Sequence, residues 1–274
     1  MNKSRTHSSK GWILWSIILA FIVLATIFAP MLSSYDPLEV IPNETFASPD
    51  INHLLGTDNL GRDVFARLLY GGRISLSVSI LSVIISTVFG ILFGGISGYY
   101  RGWLDSLMMR FLDSLLAIPT LIIMLSLQAV IRGGVLSMIV LIGLTSWMTT
   151  ARIVRSQFIE LKEANFVKMA HVLGTPSWKI IINHLLQNSL SSIVIVAIFN
   201  CANAIFTEAT LSFLGIGIPP HVPSWGNMLY NAQNDILIGA WWIGVFPGMM
   251  IVISLLSINF LGESLNKKLR IQRG

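Results

Sequence analysis

Asn200, Asn203 and Thr207 stand at i, i+3 and i+7 in the run SLSSIVIVAIFNCANAIFTEATLSFLG, with Glu208 beside them. On a helix that spacing gathers two amides and a hydroxyl on one face of an otherwise apolar segment. Such groups offer hydrogen bonds to a polar solute, and an ionisable group inside a membrane span marks a functional position by default. Glu208 lies five residues before Phe213, near the outer end of the run, where water or a partner can reach it. Two readings of the face stand side by side. It lines a polar path, or it hydrogen-bonds neighbouring helices, an interaction worth about 1 kcal/mol in lipid.

No other chemistry is written along the chain. A GxxxxGK(S/T) phosphate loop is absent, as are HExxH, GxSxG and paired Cys/His spacings. His53, His171, His184 and His221 are scattered over different compartments, His7 lies in the N-terminal tail, and all read as surface or packing residues. Cys201 is the single cysteine, which excludes an intrachain disulfide and a multi-cysteine metal site. No catalytic, cofactor-binding or metal-binding residue is expected. Carriers driven by protons or ions bury several ionisable groups near the midplane. One candidate here argues that the energy for any transport comes from elsewhere.

The elements that must hold these groups are hydrophobic helices. Of 274 residues, 54% are hydrophobic and 11% charged, and mean hydropathy is +0.73. Soluble domains carry roughly 25% charged residues, so the chain is an integral membrane protein. Six stretches reach the ~20 residues needed to cross hydrocarbon: 12–32, 74–98, 114–131, 135–153, 190–213 and 239–261. The first follows a basic lead (Lys3, Arg5, Lys10), but its apolar run exceeds a signal peptide's core, so it reads as a retained anchor. With both ends on one side, 14 of the 18 Lys and Arg residues share a compartment; Arg62, Arg67, Arg73 and Arg132 lie opposite. The positive-inside rule makes the termini cytoplasmic. The net charge of +5 is therefore topological, and nucleic acid is not an expected partner.

Between spans four and five lies a polar island, residues 157–188, QFIELKEANFVKMAHVLGTPSWKIIINHLLQN. Phe166, Met169, Ala170 and Leu173 form an apolar stripe at helical spacing. Gly174 suits the helix end, Thr175 can cap the next helix, and Pro176 suits its first turn. A membrane protein that presents a helix–Gly–helix elbow to the cytoplasm offers a partner something to push on.

The outer connection 33–73 opens turn-rich, with Pro37, Pro42 and Pro49. It then turns helical, with Asp63 and Arg67 at i, i+4, and is expected to lie along the membrane surface. Span two carries Ser82, Ser86, Gly90, Gly94 and Gly98, a small-residue ridge that lets helices approach closely. It serves packing, within or between subunits, or sliding during gating. Pro119 and Pro247 can kink spans three and six or act as hinges. Trp12, Trp15, Trp241 and Trp242 fit aromatic belts at the two interfaces.

The elbow resembles the EAA loop of bacterial ABC-importer permeases, whose pattern is similar to Y-V-x-A-A-x-x-L-G-A-S…I…H-I-L-P-N. Here it stands as Phe166-Val167-Lys168-Met169-Ala170-His171-Val172-Leu173-Gly174, then Ile180 and His184-Leu185-Leu186-Gln187-Asn188. Lys168 and Met169 replace the usual Glu and Ala, and Gln187 replaces Pro, which alters the charge pairing with the ATPase. HLLGTDNLGRDVFARLLYGGRISL (53–76) and EATLSFLGIGIPPHVPSWGNML (208–229) are similar to the second permease subunit of dipeptide, oligopeptide and nickel importers.

The resemblance implies an all-α membrane protein, a type I ABC importer permease of six transmembrane helices with a cytoplasmic coupling-helix elbow. Residues 1–73 would be the anchor helix and extracytoplasmic connection, and 74–274 the permease domain. Phe166, Lys168, Ala170, Leu173 and Gly174 would couple to ATPases. Asn200, Asn203, Thr207 and Glu208 would line the path, and Pro219, Pro220, Pro223 and Trp225 would meet a binding protein. Implied partners are a second homologous permease, two ABC ATPase subunits carrying ATP and Mg, an extracytoplasmic solute-binding protein and membrane lipid. The implied location is the bacterial cytoplasmic membrane, and the cargo peptides, nickel or metal–chelator complexes. A stand-alone channel or secondary carrier, and a scaffold anchoring soluble enzymes, are the competing classes. The elbow separates them, because only the ABC permease needs a docking helix for a motor.

Overall fold

The computed structural model describes residues 8–131 and 133–271, so Lys3, Arg5, His7 and Arg132 fall outside the described residues. The elements are α1 (Ser8–Ile27), α2 (Ala29–Leu32), α3 (Val64–Tyr100), α4 (Gly102–Leu116), α5 (Thr120–Val130), α6 (Val135–Lys162), α7 (Asn165–Val172), α8 (Ser177–Lys179), α9 (Gln187–Phe213), α10 (Trp225–Asp235) and α11 (Trp242–Ile271). Among the described residues the only extended pairing is an isolated bridge between Thr57 and Asp63. Four helices are long and apolar enough to cross a membrane, or five if the bent pair α4–α5 is one span; Trp12–Ile27 is a shorter apolar helix.

Three expectations are corrected. The stretch thought to lie along the surface is instead the opening of α3, one continuous helix of 37 residues, about 55 Å at 1.5 Å per residue. Gly71 and Gly72 do not break it, because both are points of close approach. A β-carbon at Gly71 would come 3.2 Å from the Ser224 backbone, and one at Gly72 2.8 Å from the Trp225 ring. Second, the third stretch does not begin at residue 114, which lies inside α4; the kink expected at Pro119 is present, and α4 and α5 meet there at 80°. Pro119 lies in that break at ψ 123°, without an amide hydrogen and with a ring that disfavours the helical region for the residue before it. Third, the second elbow helix is not separate. α8, a π-helical segment (Ile180–Leu186) and α9 run as one helix, Ser177–Phe213.

Two local pairings also differ. The Asp63 carboxylate does not pair with the Arg67 guanidinium; its Oδ1 caps α3 by accepting the Ala66 amide at 2.6 Å, and its Oδ2 faces His53 Nδ1 at 2.8 Å. Arg67 reaches Asp58 and the Pro37 carbonyl instead. Trp242 is no belt residue: it is buried and donates Nε1–H to the Thr57 carbonyl at 3.1 Å.

The small ridge of α3 packs on α6 within this chain. A β-carbon at Gly90 would stand 2.6 Å from Thr150 Cβ, and one at Gly98 2.8 Å from the Arg155 carbonyl oxygen. Ser82 Oγ donates to the Ile139 carbonyl at 3.0 Å. Lipid is as apolar as the helices, so this close fit and its hydrogen bonds hold the pair together. Trp225, Leu68, Ile205, Ile243 and Ile251 belong to one buried cluster. Tyr99, Phe158, Val167, Ile180 and Leu185 form another, beneath the elbow.

Candidate functional site

The elbow begins where α6 ends at Lys162, with Glu163 as its cap residue. α7 closes with paired reverse bonds: Thr175 N–H donates to the Ala170 carbonyl and Gly174 N–H to that of His171, both at 3.0 Å. This is the Schellman arrangement, and it needs a left-handed residue at Gly174, whose φ is +74°. Nothing lies within 4 Å of where a Gly174 β-carbon would sit, so the requirement is one of backbone conformation alone. Thr175 does not cap the following helix; Pro176 is the cap residue and the helix starts at Ser177.

The apolar stripe is divided. Val167 and Ala170 are buried against Phe158, Ile180 and Leu185. Phe166, Met169 and Leu173 remain 44%, 61% and 79% exposed, joined by Val172. Of the residues expected to couple, Ala170 thus anchors the elbow to its own protein, and Phe166 and Leu173 are free to meet a partner. Lys168 is exposed and pairs with Glu163 at 3.2 Å. Glu163 also takes Arg101 at 2.9 Å, and these two cations, Lys168 foremost, hold its carboxyl below the usual range. Trp178, largely exposed with Lys179 over its ring, escaped the sequence reading. An indole inside a polar island was the signal.

The span-five face also divides. Asn200 is buried and donates Nδ2–H to Thr150 Oγ1 at 3.1 Å. Asn203 is exposed and Thr207 half-buried. Glu208 is fully enclosed by this chain: it accepts hydroxyl bonds from Ser75 at 2.8 Å and Ser212 at 2.9 Å, with Ser224 a third neighbour. Ser75 in turn accepts the Trp225 amide at 3.3 Å.

That link sets the fate of the 219–225 stretch. Trp225 is wholly buried, its Nε1–H donated to the Leu68 carbonyl at 2.9 Å. It is a core anchor, and the docking contact expected of it is withdrawn. Pro223 is buried, Pro219 half-buried, and Pro220 exposed. Beside Pro223 opens a cavity of about 680 Å³, lined by Ser33, Tyr35, Asp36, Tyr70 and Arg73.

The 53–76 motif builds a second polar knot. Asp58 accepts Arg62 Nε–H at 2.7 Å and the Leu60 and Arg62 amides. His53, 3% exposed, places Nδ1 on Asp63 and Nε2 2.9 Å from Glu44. Burial opposes its charge, but the two carboxylates outweigh that, and its pKa is raised above 6.5. Among the described residues no three His, Cys, Asp or Glu side chains converge as a metal site.

Residues 90–271 match the family described as binding-protein-dependent transport system inner membrane component. The chain is 37% identical over 263 residues to a protein of Brucella suis biovar 1 named as a peptide permease, covering 96% of this chain and 87% of that one. It is 34% identical over 265 residues to the oligopeptide transport system permease protein OppC of Bacillus subtilis, covering 97% and 87%. A Brucella melitensis biotype 1 protein named as a peptide transport system permease is 36% identical over 249 residues, covering 91% and 83%.

Proposed function

We infer the role of this chain from one premise: it belongs to the family of binding-protein-dependent transport system inner membrane components, a family of transport permeases and not of enzymes. The chain is a permease subunit that forms half of a translocation path for peptides, the cargo for which its relatives are named. A second homologous permease supplies the other half, and an extracytoplasmic solute-binding protein delivers the peptide. Two ABC ATPases, which hold ATP and Mg, dock on the elbows of the paired permeases. The Lys/Arg distribution supports cytoplasmic termini in a bacterial cytoplasmic membrane.

The observation that carries this reading is the elbow's exposed apolar surface. Phe166, Met169, Val172 and Leu173 are held out on the side that the charge asymmetry makes cytoplasmic. Nucleotide-driven closure of the ATPases would displace that surface, and the Ser177–Phe213 helix would carry the displacement into the membrane. Asn203 and Thr207, the accessible members of their face, would line the path; Asn200 and Glu208 would brace its wall. Pro219, Pro220 and the neighbouring cavity would receive the binding protein.

Replacing Met169 and Leu173 with Asp tests the docking surface. The subunit should insert and pair with its fellow permease but no longer co-purify with the ATPases. Normal recovery of the ATPases would refute the assignment.

A further inference from the structure

The turn between α3 and α4 contains a residue in a costly conformation. Arg101 has φ 54° and ψ −162°, a region that a β-carbon disfavours, and Gly102 follows at φ +66°. Outside glycine, only Phe46 shares a positive φ among the described residues. The Arg101 side chain is gripped twice. One amino group donates to Glu163 Oε1 and the other to the Ile159 carbonyl, both at 2.9 Å. Both acceptors lie where α6 ends and the elbow begins. Glu163 turns its other oxygen to Lys168 of α7 at 3.2 Å. Close by, Asp105 of α4 binds Ser97 of α3 and takes Arg155 of α6 in a two-pronged bond of 2.6 and 2.7 Å.

We propose that Arg101 is the positioning residue of a mechanical joint between the elbow and the membrane helices: its grip on Glu163 and Ile159 keeps the α3–α4 turn in a loaded backbone state. The proposal rests on the elbow receiving the motor's push, and it names the part that passes the push onward. An ordinary helix-to-helix turn would leave the left-handed conformation to the adjacent glycine. Here an arginine adopts it as well, and its side chain is bound to the element expected to move. The carboxylate of Glu163 is shared between a cation of the elbow and the cation of the turn. The two cations hold different oxygens of Glu163, so motion of α7 that draws the carboxylate along with Lys168 pulls Oε1 away from Arg101. The turn then relaxes toward the right-handed region, and α4 re-aims with α5, which is already bent at Pro119.

The test uses the whole complex in proteoliposomes: this chain, its fellow permease, the two ATPases and the binding protein. Labelled peptide delivered per ATP hydrolysed is read beside basal hydrolysis and thermal stability. Arg101→Gly accepts the positive φ freely but has nothing to grip. It should keep assembly, basal hydrolysis and stability, yet lose about 5-fold or more in peptide per ATP, the lower range for coupled sites. Glu163→Gln should lose a similar factor, and the double variant no more than either alone. Arg101→Lys, which keeps the charge, should recover part of the loss. Unchanged peptide per ATP, additive losses, or coupling that falls only in step with stability or assembly would overturn the joint. Wild-type complex without ATP-driven uptake would instead sink the functional reading on which it rests.

Discussion

Ser75 and Glu208, 133 residues apart in sequence, meet at 2.8 Å in the interior of the protein. The bond ties α3 to α9, and through the Trp225 amide on Ser75 it also ties both to the outer 219–225 stretch. A carboxylate that the sequence offers as a path residue therefore serves as a brace. Glu208→Ala should leave the Ser75 and Ser212 hydroxyls without their acceptor and cost about 2 kcal/mol or more, seen as a lower melting temperature in detergent. Glu208→Gln keeps an acceptor and should cost less. Equal stability of Glu208→Ala and wild type would remove the brace.

Asn203 should behave oppositely. Because it is exposed and unburdened by internal packing, Asn203→Leu should leave assembly and melting temperature unchanged while raising the KM for peptide uptake. Unaltered uptake kinetics would return this face to packing.

The fit of α3 on α6 makes a sharp steric forecast. Gly90→Leu must displace Thr150, since even a β-carbon there stands 2.6 Å from Thr150 Cβ. Overpacking of this kind costs about 1–3 kcal/mol, so the variant should yield less folded protein. Melting at the wild-type temperature would refute the close contact.

Gly174 separates conformation from space. A side chain there meets no neighbour, but φ +74° suits Gly and Asn and opposes β-branched residues. Gly174→Asn should retain ATPase stimulation, and Gly174→Val should lose it with membrane insertion intact. Equal behaviour of the two would argue against the left-handed cap.

His53 gives the outer connection a pH dependence. Its folded pKa is raised because Asp63 and Glu44 outweigh the cost of burial. A group with a raised folded pKa contributes fully below its unfolded value, near 6.5, and the contribution is lost as pH climbs through the folded value. Melting temperature measured from about pH 6.5 upward should thus decline more steeply for wild type than for His53→Gln. Parallel curves would contradict the pairing.

Hydropathy made the long helices legible, because apolar length is a property of the chain alone. Gly174 was legible too, since glycine after the last apolar turn marks a helix end. What escaped reading depends on distant neighbours. Asp before a helix is a local capping signal, but nothing local says that His53 will claim its other oxygen, leaving Arg67 to reach Asp58. The pair Gly71–Gly72 reads equally as a break or as a place where Ser224 and Trp225 press close. Helical spacing put Asn203 and Glu208 on adjoining faces of one helix but could not say which face would meet Ser75. The stripe on α7 showed the same gap, because periodicity finds an apolar surface without telling whether its own protein or another covers it.

The most direct measurement is peptide accumulation in sealed vesicles against a gradient. The purified chain alone should accumulate none under any ion gradient or ATP supply. With its fellow permease, the ATPases, the binding protein and ATP, uptake should be concentrative. Uphill transport by the isolated chain would contradict the account.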